Sequence, residues 1–65
     1  MYVLTWTQQG VERPHSVSLN AATPEAATTA AHQHLQERYG DRMKEEVLKL
    51  ELKAPDQTHI PLSLP

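Results

Sequence analysis

Residues 41–53 read D-R-M-K-E-E-V-L-K-L-E-L-K, and whether this stretch is helix or strand decides the fold. As a helix it aligns Met43, Val47 and Leu50, and its Lys and Glu content suits that state. As a strand it places Leu48, Leu50 and Leu52 on one face and Lys49, Glu51 and Lys53 on the other, in unbroken alternation. The alternation runs over six residues against three helical matches. A wholly helical second half would also leave the strands before it with too little to pack on. The reading is a strand from Glu46 to Lys53, with partial helix inside 41–53 as the open alternative.

Upstream, Thr23-Pro24-Glu25 carries three helix-start signals in succession. They are an N-cap hydroxyl, a proline at the first helical position where its missing N–H is no loss, and an acid that favours the helix dipole. Ala27, Ala30, Ala31, His34, Leu35 and Tyr39 recur at helical spacing, and Gly40 supplies a stop. The helix predicted from these signals spans Pro24 to Tyr39. Small alanines in its stripe let it lie close against a sheet.

Before the helix, Tyr2 to Thr7 alternates with Tyr2, Leu4 and Trp6 on one face and Val3, Thr5 and Thr7 on the other. His15, Val17 and Leu19 alternate with Ser16 and Ser18, so the two segments form a hairpin across the turn region 8–14. After the third strand, 54–58 reads as a turn with Pro55 and Asp56 at its head. Residues 59–65 alternate again, but Pro61 and Pro65 cannot donate to a ladder, so this segment is an edge strand or extended tail.

The expectation is an α+β fold of order β-β-α-β-β, a four-stranded antiparallel sheet in the order 2-1-3-4 with one helix on one face. Similar arrangements occur among small antitoxin-like modules and small phage-borne inhibitors, a likeness of architecture alone, which does not fix function.

Sixty-five residues suit one small domain, residues 1–65, with a core built from Leu, Val, Ala, one Trp and two Tyr and no Phe. Without cysteine the chain has neither a disulfide framework nor a thiolate metal site, which points to a reducing, cytoplasmic setting. Neither a leader pattern nor a run of about 20 apolar residues is present, so no membrane association is expected. A formal charge of −2 is too mild to announce a nucleic-acid partner or a nucleic-acid mimic.

The candidate constellations are few. His32 and His34 are two apart, about 200° around a helix, so they cannot face one ion as an i, i+4 pair would. His15 and His59 could approach His34 through the fold, but metal binding remains a distant alternative and no cofactor is expected. Ser16 and Ser18 sit on a strand with no base or cleft implied, and Glu45 and Glu46 point apart as solvated charge, so no enzyme is expected. Arg38, Arg42 and Lys44 gather near the helix end and carry the alternative of nucleic-acid binding, though Glu37, Asp41, Glu45 and Glu46 interleave with them.

The leading expectation is a small non-enzymatic protein-binding module, a regulator or inhibitor of the type phages and mobile elements encode. Its candidate surface is the sheet face left bare by a single helix, namely Val3, Thr5, Thr7, Ser16, Ser18, Lys49, Glu51 and Lys53. A thin core and the apolar Ile60, Leu62 and Leu64 further suggest a homodimer formed through those three side chains.

Overall fold

The computed structural model describes residues 1–62. Strand β1 (Tyr2–Gln8) pairs antiparallel with β2 (His15–Leu19), in a register running from Tyr2 opposite Leu19 to Trp6 opposite His15. Between them Val11 N–H donates to the Gln8 carbonyl at 3.0 Å, and Gly10 takes φ +83°, a conformation that the turn needs and that glycine adopts at least steric cost. Helix α1 (Pro24–Tyr39) follows with the bounds that its signals predict. Thr23 Oγ1 accepts from Ala26 N–H at 3.1 Å, and Gly40 ends the helix at φ +59° with its N–H on the Gln36 carbonyl.

The chain then makes a 3-10 turn at Gly40–Arg42 and a single helical turn, α2 (Met43–Glu46), before β3 (Val47–Lys53). Strand β4 is only His59–Ile60. The sheet order is β2-β1-β3-β4, all pairs antiparallel, so the α+β architecture and the 2-1-3-4 order are those the sequence predicts. Because β2 and β3 both run against β1, they are parallel to each other and need a crossover, which α1 supplies.

The core lies between α1 and the inner sheet face. Leu4, Leu52, Leu35, Ala27 and Ala31 are fully buried and Trp6 nearly so, with Tyr2, Leu19, Met43 and Val47 around them. Leu4 faces Leu52 directly across the ladder, joining the two central strands by a cross-strand apolar pair. Leu35 is the one large side chain that the middle of α1 contributes, and the alanines before it keep the layers close.

The stretch 41–53 combines both of its readings, and one detail of the strand reading is corrected. Thr5 pairs with Glu51 but Thr7 pairs with Leu48, so Lys49 and Leu50 together stand opposite Trp6. This is a β-bulge, and Lys49 at its centre has φ +46°. One extra residue exchanges the faces of everything before it. Leu50 and Leu52 keep their core side, whereas Leu48 becomes 44% exposed and Val47 takes the buried position. Unbroken alternation in the sequence therefore does not mean unbroken alternation in space.

The turn after β3 is closed by Ala54 N–H on the Thr58 carbonyl at 2.8 Å and Gln57 N–H on the Ala54 carbonyl at 3.0 Å. Hydrogen bonds from the Thr58 side chain and backbone hold the Asp56 carboxyl below its ordinary range, since they favour the charged form. Of the terminal segment 59–65, the described residues 59–62 hold the strand His59–Ile60, and Ser63, Leu64 and Pro65 lie outside the described residues.

Two outcomes test this packing. Trp6→Ala should destabilise the protein by about 3–5 kcal/mol, read as a large fall in Tm, because it empties the widest fully enclosed position of the core. Lys49→Gly should instead raise stability by about 0.5–1 kcal/mol, by relieving a left-handed conformation that a side chain resists. A lower Tm for Lys49→Gly would show that the bulge is not strained.

Candidate functional site

Two regions carry side chains whose placement goes beyond packing. The first is the outer face of the sheet, opposite α1. Residues alternate along β1, so with Tyr2, Leu4 and Trp6 buried inward, Val3, Thr5 and Thr7 form the outward row and are half-exposed. The register sets Ser18 and Ser16 beside Val3 and Thr5 on one flank, and Lys53 and Glu51 beside the same two residues on the other. Seven of the eight side chains expected there are thus brought together on one face. Lys49 is exposed but belongs to the bulge, and Leu48 stands beside Thr7 in the place that strict alternation gives to Lys49. Glu51 Oε1 lies 3.7 Å from Lys53 Nζ and 3.6 Å from His59 Nε2, a solvated charge cluster along the β4 side that contributes little to stability.

The second region is polar and sits on the inner side, where β1 ends beneath the last turn of α1. The Trp6 indole stacks on the His15 ring at 5.1 Å and meets His34 and Tyr39 edge-on at 5.6 and 6.5 Å. Trp6 Nε1 donates to the Tyr39 hydroxyl at 2.9 Å, which satisfies the one polar atom of a buried indole. That hydroxyl accepts a second bond from Arg38 Nε at 3.2 Å and donates to Gln8 Oε1 at 3.1 Å. Gln8 Oε1 also receives His15 Nε2 at 3.1 Å; an amide oxygen only accepts, so the imidazole proton of this bond is on Nε2. Gln8 Nε2 reaches Glu46 Oε2 at 3.4 Å, and Arg42 Nη2 reaches Glu46 Oε1 at 3.3 Å. The Arg38 guanidinium lies 5.8 Å from the Trp6 ring centre and 5.6 Å from that of Tyr39, within cation–π range of both.

Gln8, Arg38, Tyr39, Arg42 and Glu46 together line an open cleft of about 390 Å³. The sequence places Gln8 in the turn region 8–14 and Glu46, with Glu45, among solvated charges. Both views are corrected. Gln8 continues the inward row of Tyr2, Leu4 and Trp6 by two residues, a signal present in the sequence. Glu46 is half-buried at the end of the helical turn α2, where its carboxylate meets Gln8 and Arg42.

The basic trio is divided: Arg38 and Arg42 share this cleft, while Lys44 lines another with Gln36, Gly40, Asp41 and Met43. His15 and His34 meet at Trp6, whereas His59 pairs with Lys53 at the sheet edge. Among the described residues no three His, Cys, Asp or Glu side chains gather as a metal would require, and no helix is long and apolar enough to cross a membrane. Ile60 and Leu62 are half-buried against the protein's own core, which covers part of the apolar surface that suggested a dimer, and Leu64 lies outside the described residues. No family model, curated protein or solved structure matches the chain at a significant level.

The Tyr39 hydroxyl is the hub of this network, and its one donor and two acceptor positions are all used. Tyr39→Phe should cost about 1–3 kcal/mol, since it leaves the buried Trp6 N–H without its partner. The intrinsic fluorescence of the only tryptophan should shift with it. An unchanged Tm and spectrum would mean that the hydroxyl is dispensable.

Proposed function

We propose that this chain is a small non-enzymatic protein-binding module that offers the outer sheet face to a partner protein. The reading rests on one observation, the composition of the face that α1 leaves bare. Its middle is hydroxyl and apolar, with Val3, Thr5, Thr7 and the 44%-exposed Leu48, while the charged Glu51 and Lys53 lie together on the β3 flank next to His59 of β4. An uncharged centre with a polar border is the arrangement that protein interfaces favour. A regulator or inhibitor needs no more than such a surface held rigidly, and the register of three long or central strands holds it.

Nucleic-acid binding through Arg38, Arg42 and Lys44 has weaker support. Lys44 faces a different cleft and Arg42 is engaged by Glu46, so the three cations do not present one basic track.

A photo-crosslinking residue placed at Thr5, compared with one at the exposed helix position Gln33, tests the reading in nuclease-treated extracts of the source cell. The Thr5 probe should capture one protein that the Gln33 probe does not, and adding Leu48→Glu should reduce that capture about tenfold. Equal capture at both positions, or capture indifferent to Leu48→Glu, would overturn the assignment of this face.

A further inference from the structure

The polar cleft beneath the helix end has a lopsided supply of hydrogen-bonding groups. Its acceptors are engaged within the protein. The Tyr39 hydroxyl takes Trp6 Nε1 and Arg38 Nε, Gln8 Oε1 takes the Tyr39 hydroxyl and His15 Nε2, and the two Glu46 oxygens take Gln8 Nε2 and Arg42 Nη2. Its donors are mostly unspent. Among the described residues Arg38 uses only Nε, has no carboxylate within ion-pair distance, and keeps its terminal amino groups; Arg42 uses one N–H of its fork. Two guanidinium groups against one carboxylate also leave the lining with a net positive charge.

A cleft whose acceptors are already engaged within the protein and whose cationic donors are largely free fits a ligand that is itself an acceptor and an anion. We propose that it binds a single phosphate group, free or carried as a monoester on a small molecule, with Arg38 as the principal contact and Arg42 as the second. Guanidinium forks match the geometry of phosphate oxygens, and Arg38 is pre-positioned by its Nε bond and by the faces of Trp6 and Tyr39, so little side-chain freedom is lost on binding. The cleft volume lies at the small end of ligand sites. A polyanionic strand is a poorer fit, because the cleft offers two cations and the chain as a whole is negative.

The test is titration of inorganic phosphate and of phosphoserine, at ionic strength held constant with sodium chloride, followed by Trp6 fluorescence and by amide NMR shifts. Saturable binding is expected with Kd on the order of 1 mM. Arg38→Gln should weaken it at least about tenfold and Arg38→Lys, which keeps the charge but loses the fork, by a smaller factor. Lys44→Gln should leave it unchanged, and Glu46→Gln, which releases Arg42, should tighten it. Stronger binding of phosphoserine than of inorganic phosphate would identify the monoester as the ligand form, and the reverse the free ion. No saturable shift beyond that of chloride, equal binding by correctly folded Arg38→Gln, or tight binding of single-stranded DNA without binding of phosphate would each overturn the proposal.

Discussion

The indole of Trp6 is the point on which the remaining structure turns. It stands on the central strand, nearly sealed from water, with a polar atom that the interior must satisfy. The Tyr39 hydroxyl satisfies it, which fixes the last turn of α1 over the end of β1. Gln8, His15 and Arg38 then settle around that hydroxyl, so one buried N–H organises a chain of bonds that ends at Glu46 and Arg42. Across the sheet from the same residue lies the bulge. The strand that faces the largest core side chain is the one that departs from regular pairing.

Much of the architecture is legible in the sequence because several signals agree at the same positions. Thr23-Pro24-Glu25 and Gly40 bound α1 to the residue, since capping and conformational freedom act locally and need no tertiary context. The faces of β1 and β2 follow from period-two alternation, and the strand order follows from the crossover. What escapes is whatever depends on a shift of phase. The bulge moves Val47 inward and Leu48 outward although Leu48, Leu50 and Leu52 look equivalent on paper. Its cause is a backbone conformation at Lys49, a residue type with no preference for the left-handed region, so nothing local announces it.

The candidate surfaces divide along the same line. The outer face is legible apart from the exchange of Lys49 for Leu48, because it is set by alternation in strands that pair regularly. The polar cleft is not, because it joins the end of β1, the end of α1 and the end of α2, three places where periodic patterns stop. Gln8 could have been placed by extending the inward row of β1. Arg38 and Arg42 are visible as basic residues, but Lys44 lies two residues beyond Arg42 on the helical turn of α2 and so falls on another side.

The position of β1 in the middle of the sheet also orders the way the chain can close on itself. Joining β1 to β2 spans one short turn, whereas joining β1 to β3 spans the whole helix and both turns that follow it. The entropy of closing a loop grows with its length, so the local hairpin is the cheaper first step. Until β3 arrives, that hairpin holds Leu4 and Trp6 with one flank unpaired. The long-range step must find the correct register and also set the bulge in place, since a slip of one residue would turn the leucines of β3 to the wrong side. The long-range pairing in this fold therefore falls on the segment whose local sequence is the most ambiguous.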